Sequence, residues 1–331
     1  MRILITGVTG FVGGHLISEL RRHDPAVELW GLGWGEYDQD AVHTAAPGIH
    51  LVDGDLVEPP SVERVLSDAR PDVIFHLAAA SSVARSWDFA ARSLEINAIG
   101  TVHLFDAVAR LELDPIVVVS STAEIYGHVP DGSAPLTEDT PIAPLSPYGT
   151  SKAAQDLLTG QFHAARGLAA VRVRFFNLTG PGRPDHFVAS SFARQIAEIE
   201  AGLAPPVLRV GNLAAVRDFT DVRDAVRACR MAADRRHAGE VFHVCTGRGV
   251  AISEVVEQLC DLSRCDVRVD VDDERLRRSD ISWLIGDPSK IAAATGWRAE
   301  IPLRQTLSDL LDWWRARLAS DRRGAEAPAD P

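Results

Sequence analysis

Cysteine is scarce in this chain, and the little there is does not cluster. Cys229, Cys245, Cys260 and Cys265 form no C-x-x-C pair, and no His/Cys group accompanies them. That spacing offers neither a zinc site nor a disulfide framework, so idle thiols in a reducing compartment and no metal are expected. Positive charge is not in excess either: 34 Lys and Arg stand against 46 Asp and Glu, a net charge of −12. This argues against a broad surface for nucleic acid or anionic lipid, but leaves room for a small anionic ligand met by a few local arginines. No apolar stretch approaches the ~20 residues of a membrane span. The N-terminal apolar run starts at once, is cut by glycines and lacks a small-residue cleavage site, so it does not read as a signal peptide. A cytoplasmic protein is expected. No internal repeat is present.

What remains is an ordinary soluble composition, 46% hydrophobic and 24% charged over 331 residues, enough for roughly two domains of ~150 residues. Strand-like runs recur at 2–6, 27–32, 49–53, 72–80, 115–121 and 169–177. Those at 72–80 and 115–121 are apolar with little alternation, as in parallel strands covered on both faces. Amphipathic stretches at 61–69, 93–111 and 151–167 lie between runs. This β-α-β-α order points to a doubly wound α/β sheet, the Rossmann arrangement. After Asn177 the rhythm changes: a Gly/Pro loop, a helix over 187–202, a strand at 206–211, a polar segment, a strand at 239–245 and a helix starting near Ser253. The expected division is a dinucleotide-binding domain of 1–176 and 216–246. A smaller discontinuous domain of 177–215 and 247–316 would cover the carboxyl ends of the sheet. Residues 317–331 lack apolar content and are expected to be disordered.

The chain opens "MRILITGVTGFVGGHL", with glycines at 7, 10 and 13 where a strand gives way to a helix. Glycine costs about 1 kcal/mol against alanine inside a helix, so the fold must gain something there. Either the turn is merely tight, or a backbone without Cβ lets a diphosphate reach the N–H groups at the helix start. A second segment, "SPYGTSK", sets Tyr148 and Lys152 four apart on one helix face. A free phenol titrates near 10, and a neighbouring ammonium favours the phenolate, making the tyrosine a usable acid/base. Thr122, in "VVVSSTAEIYG", falls just past an apolar strand, where open α/β sheets hold their ligands. Its hydroxyl could hold a substrate oxygen while Tyr148 moves the proton.

Gly7-x-x-Gly10-x-x-Gly13, Asp55-Leu56, "HLAA" at 76–79, Asn97, Thr122, Tyr148 and Lys152 together resemble the extended short-chain dehydrogenase/reductases, from Met1 to about residue 315. The resemblance implies a nicotinamide cofactor on the first domain and a nucleotide-sugar on the second. Gly7, Gly10, Phe11, Val12 and Gly13 would hold its diphosphate turn, and Asp55 and Leu56 would border the adenine. Leu77, Ala78 and Ala79 would lie under the cofactor with Asn97, and Lys152 would bind the nicotinamide ribose and lower the Tyr148 pKa. It also implies a homodimer built from the helices near 92–111 and 150–166. A non-catalytic dinucleotide sensor is the distant alternative; such members often lose the catalytic tyrosine or lysine, and here both are present.

"HLAAASSVARSW", "GPGR", "VGNLAAVRDFTDVRDAV" and "LRRSDISWLIGDPSKIAAATGW" are similar to the branch acting on GDP-mannose derivatives, which contains both 4,6-dehydratases and 4-keto-6-deoxymannose reductases. By that likeness Asn177, Arg217 and Arg277 contact the diphosphate or nucleotide, Arg194 faces the same pocket, and Ser82 belongs to the substrate site. Arginine forks suit diphosphates. The branch's usual Arg-Pro-x-Glu is here Arg277-Arg278-Ser279-Asp280, a shorter carboxylate. Glu124 matches the dehydratase base, but the reductases resemble it there too. The segments around 180–200 and 211–224 read closer to the reductases. The loop after the second strand, "GLGWGEYDQD", lacks the arginines with which dehydratases grip cofactor across subunits. Reduction of a GDP-4-keto-6-deoxymannose is therefore the favoured expectation, with the dehydratase second. NAD and NADP are not separated: that loop has neither a clean ribose-binding acid (Glu36 lies late) nor a phosphate-binding arginine. His76, Trp313, Trp314, Phe175 and Phe176 are expected to be structural.

Overall fold

Short apolar or β-branched strands alternating with amphipathic helices leave the chain little choice but to stack the strands in parallel. In the computed structural model, which describes residues 1–33, 47–272, 275 and 281–326, strands β1 (Arg2–Thr6), β2 (Glu28–Gly33), β3 (His50–Asp53), β4 (Val73–His76), β5 (Ile116–Thr122), β6 (Ala170–Phe175) and β10 (Val241–Val244) form one sheet. Its order is β10-β6-β5-β4-β1-β2-β3, and every pairing is parallel. Strand β5 is buried at every position, as a run covered on both faces must be. One face packs on α1 (Phe11–His23) and α7 (Val222–Ala232), through Leu16, Leu20, Val226 and Cys229. The other packs on α2 (Pro59–Ala69) and α4 (Gly100–Arg110), through Val65, Leu66, Leu104 and Phe105. The chain reverses direction across the sheet between β1 and β4. The loops after these two strands part there and open a crevice at their carboxyl ends.

The stretch expected as one helix over 93–111 is broken into three: α3 (Ala90–Leu94), a π-helical turn (Glu95–Ile99) and α4. Helix α5 (Pro147–Arg166) begins four residues before the expected start. Pro147 occupies its first turn, and the Ser146 side chain accepts from Gly149 N. The run at 72–80 pairs only to His76. Beyond it, Ala78 N donates to Thr6 Oγ1 and Ala80 N to Asn97 Oδ1, so side chains replace a neighbouring strand.

A second sheet contains β7 (Asn177–Thr179), β9 (Val216–Asp221), β11 (Gly249–Ala251) and β13 (Trp283–Leu284); β8 (Val207–Val210) pairs with β12 (Arg268–Val271). Around them α6 (Val188–Glu200), α8 (Ile252–Leu262) and α10 (Leu303–Glu326) enclose a separate core with Phe192, Ile196, Val255, Leu259, Leu307 and Leu310. Two expectations are corrected. Residues 216–221 were assigned to the first domain, but they are the middle strand of the second sheet; the return to the first begins at Val222. The expected disordered tail begins at residue 317, but α10 continues through Glu326. Leu318 packs on the second core, and Arg322 donates to Ala201 O. The short helix α9 (Ser289–Thr295) completes the set.

Candidate active site

The glycine turn at the start of the chain sits against the loop after β4. Gly7 has φ +70°, and a Cβ on it would lie 2.8 Å from the backbone N and Cα of Ala78. On Gly13 it would lie 2.5 Å from Gly7 O and 2.6 Å from Val8 O. Gly10 caps α1 without any side-chain hydrogen bond, so the first-turn N–H groups of Phe11, Val12 and Gly13 remain available to an anion. The cradle is one that side chains would fill, and it fits a dinucleotide diphosphate. Leu77 N donates to Thr6 O, which with the Ala78 bond ties the loop over 77–79 to β1. Asp55 accepts from Val57 N and pairs with Arg92, and buried Leu56 accepts from His103 Nδ1.

Beneath the crevice lies a closed polar network. Fully buried His76 meets Thr6 Oγ1 and Thr101 Oγ1, each at 2.9 Å. Thr101 donates to Asn97 O and accepts from Gln155, so Nε2 carries the His76 proton and Nδ1 accepts from Thr6. Burial first, then the Lys152 charge, lowers this imidazole to about 3. It is structural, as its sequence context implies. Asn97 is equally buried. Its amide holds Ala80 at both N and O and donates to Ser151 Oγ, which donates to Tyr148 O. The π-helical turn that carries Asn97 thereby joins the loop after β4 to the start of α5.

Tyr148 projects from the first turn of α5 and hydrogen-bonds with Thr122 at the end of β5. Thr122 Oγ1 also accepts from Glu124 N at 3.3 Å. Burial pushes the Tyr148 phenol up to about 12. The Glu124 charge adds to this, while the Thr122 bond and the Arg183 charge oppose it. The expectation that Lys152 holds this phenol down is corrected: its ammonium donates instead to Ser120 O at 2.6 Å and to Gln155 Oε1. Burial takes Lys152 down to about 7, against the pull of Asp156. Asp156, one turn further along α5, is gripped by Arg174 through both carboxylate oxygens at 2.9 Å. Arg174 also donates to Tyr126 Oη and Glu138 O, and Tyr126 meets His243. None of these partners was singled out from the sequence. The signal available was two arginines, Arg172 and Arg174, inside the strand-like run 169–177.

The expected substrate residues are more scattered. Asn177 opens β7, half-buried. Arg217 is buried on β9, with Nη1 on Val216 O. Ser82 accepts from Arg85 N at the turn after the cofactor loop. Arg194, on α6, is engaged by Asp185 and Glu198 and lies over Trp314, so its charge is already matched within the second unit. Arg277, with the Arg277–Asp280 departure, lies outside the described residues, as does Glu36. Trp314 packs edge-on against Trp313 and donates to Ser190. Phe175 and Phe176 are core.

No helix among the described residues is long and apolar enough to cross a membrane. None of their His, Cys, Asp and Glu side chains form a group of three that could hold a metal. The cysteines are unbridged.

A family model described as GDP-mannose 4,6 dehydratase matches residues 4–310. The chain is 32% identical to the GDP-6-deoxy-D-mannose reductase of Pseudomonas aeruginosa, over 97% of its own length and 99% of the relative's. Among solved structures, RMD from Pseudomonas aeruginosa complexed with NADPH superposes with a TM-score of 0.81 at 31% identity, covering 96% of this chain and all of that one. The UDP-glucose 4-epimerase of Thermus thermophilus complexed with NAD reaches 0.84 at 28%, over 95% and 99%. The chain therefore belongs to the GDP-mannose 4,6-dehydratase family, whose members are NAD(P)-dependent nucleotide-sugar dehydratases, reductases and epimerases.

Proposed function

We propose that the protein reduces the 4-keto group of GDP-4-keto-6-deoxy-D-mannose to GDP-D-rhamnose, with NADH or NADPH as reductant. The observation that carries this reading is the Tyr148–Thr122 pair. The Tyr148 phenol, from the first turn of α5, hydrogen-bonds with Thr122 at the end of β5, and ketone reduction requires one group to hold the oxygen and one to give it a proton. A bound nicotinamide supplies the hydride. Thr122 holds the ketone oxygen, Tyr148 delivers its proton to that oxygen as C4 receives the hydride, and solvent reprotonates the phenol. Lys152, anchored on Ser120 O, would hold the nicotinamide ribose, while Asn177, Arg217 and Arg277 hold the substrate diphosphate. Full-length similarity to the Pseudomonas aeruginosa reductase supports the choice of substrate.

A second reading, GDP-mannose 4,6-dehydration, is favoured by one feature: the Glu124 carboxylate acts directly on Tyr148 and would serve as base at C5. The two differ in cofactor balance. A reductase consumes reduced cofactor stoichiometrically, whereas a dehydratase regenerates its own. Loss of nicotinamide absorbance with the 4-keto sugar supports the reductase. Conversion of GDP-mannose with oxidised cofactor, and no loss in the first mixture, supports the dehydratase.

The same reading makes the protein a cytoplasmic homodimer. Leu94, Ile99 and Leu157, on the helical stretch 90–110 and on α5, are 40%, 48% and 58% exposed, an apolar surface suited to a four-helix contact with a second copy. Light scattering at micromolar concentration should give twice the chain mass; a monomer mass contradicts it.

A further inference from the structure

Gln155, three residues beyond Lys152 on α5, has its side-chain amide held at both ends. The residue is buried, and Nε2 donates to Thr101 Oγ1 at 2.8 Å. That hydroxyl gives its proton to Asn97 O at 2.7 Å and accepts from His76 Nε2 at 2.9 Å. A hydroxyl donates one hydrogen bond and accepts two, so Thr101 is saturated. A flipped amide would set Oε1 against a hydroxyl with no proton to give, and an unmet buried polar group is expensive. Oε1 is thereby fixed toward the Lys152 ammonium, from which it accepts. The series continues away from α5: His76 Nδ1 accepts from Thr6 Oγ1, which accepts from Ala78 N in the loop after β4.

Lys152 is buried as well, and both of its hydrogen-bond partners are uncharged: Ser120 O at 2.6 Å and Gln155 Oε1. The carboxylate that acts on it, Asp156 on its own helix, is already engaged by Arg174 at both oxygens and by Arg172, both on β6. His76 on β4 is held neutral by burial, and the π-helical turn and α4 contribute the neutral Asn97 and Thr101 to this network. Glu124, beyond β5, acts on the Tyr148 phenol, which burial keeps protonated. Burial accordingly brings the ammonium near its point of deprotonation, at about 7. Two of its three N–H bonds are used, and the third remains for a ligand.

Taking the ribose role given above to Lys152, we propose that Gln155 is its positioning residue: it aims the ammonium so that the third N–H bond meets a bound nicotinamide nucleotide, and as a neutral acceptor it leaves the charge available to that ligand. Gln155→Met removes both hydrogen bonds at similar volume. Gln155→Glu keeps an oxygen on Lys152 but makes it a carboxylate. Lys152→Met is the reference. Dissociation constants for NADPH and NADH would be measured by nicotinamide fluorescence from about pH 5.5 to 9, with a thermal transition for each variant.

In the wild type, affinity should fall as pH rises through the Lys152 titration, because the ammonium is lost. A neighbouring carboxylate favours the ammonium, and loss of an acceptor disfavours it. The midpoint of that fall should move up in Gln155→Glu and down in Gln155→Met, by about one pH unit each, and Gln155→Met should bind about tenfold more weakly at pH 7. A residue that only fills space would not move the two in opposite directions. Midpoints unchanged in both variants, or displaced in the same direction, would overturn the proposal, as would a wild-type affinity that does not fall across this range. Should Gln155→Met fail to fold, an unmoved midpoint in Gln155→Glu overturns it equally. If Lys152→Met binds both dinucleotides as tightly as the wild type, the ribose role is refuted and the positioning falls with it. If Lys152→Met binds weakly while both Gln155 variants match the wild type, the positioning alone is refuted.

Discussion

Gly13 and Gly14 are neighbours in one helix, yet alanine at the two positions should act in opposite directions. At Gly14 a Cβ meets nothing within 4 Å, and the residue is exposed. Only helix propensity operates there, and Gly14→Ala should stabilise the protein by about 1 kcal/mol. At Gly13 the same propensity gain applies, but the Cβ would stand 2.5 Å from Gly7 O, 2.6 Å from Val8 O and 2.8 Å from Val8 C. These are backbone atoms, so relief requires the turn itself to move. Overpacking costs about 1–3 kcal/mol, and less the propensity gain of about 1 kcal/mol the net is a destabilisation of up to about 2 kcal/mol. The displaced carbonyls belong to the turn that presents the first-turn N–H groups, so dinucleotide affinity should fall by an order of magnitude or more. Urea unfolding of both variants, with equal m-values, gives the stabilities; nicotinamide fluorescence gives the affinities. Shifts of the same sign and size at both positions would refute the view that the turn is shaped by close backbone approach.

Tyr148→Phe should lower turnover by about two to four orders of magnitude while dinucleotide affinity stays within a few-fold of wild type, as steady-state kinetics and fluorescence titration would show. Arg174→Met removes the two-oxygen grip on buried Asp156, leaving Arg172 at 3.4 Å as its neighbouring guanidinium, and should cost about 3–5 kcal/mol in urea unfolding. Acid should destabilise the protein through its buried imidazoles. His76 and His243 are both held near 3 by burial, so the unfolded chain takes up protons below about 6.5 while the folded one does not. Stability from these groups is present above that range and lost as pH falls from 6.5 toward 3. Each contributes up to about 1.4 kcal/mol per pH unit. Unfolding at pH 7 and pH 5 should show the drop, and His76→Gln should reduce it.

The parallel sheet was legible because its strands are short apolar runs between amphipathic helices, and the structure keeps β1 at the expected residues 2–6. Boundaries failed where side chains stand in for backbone partners, as when Thr6 and Asn97 take the N–H groups of Ala78 and Ala80. Strand β9 escaped notice because "VRDFTD" is polar without alternation. Its charges are buried on partners distant in sequence: Asp218 accepts from Thr246 and Gly247, and Asp221 from Thr306. That information lies in tertiary contacts, not in periodicity. Thr122 and Tyr148 could be brought together from a strand end and a helix start. The ammonium of Lys152, the chain's only lysine besides Lys290, could not be aimed, because its direction depends on Ser120 O and Gln155.

The reduction itself is tested most directly by the fate of the hydride. Reduced cofactor deuterated at nicotinamide C4, on the face that is transferred, would be supplied with the 4-keto-6-deoxy sugar nucleotide and the product read by proton NMR. Transfer to the ketone beside Tyr148 and Thr122 places one deuterium at sugar C4 for each cofactor oxidised. A product without deuterium at C4, or turnover of GDP-mannose that leaves the cofactor's label in place, would contradict it.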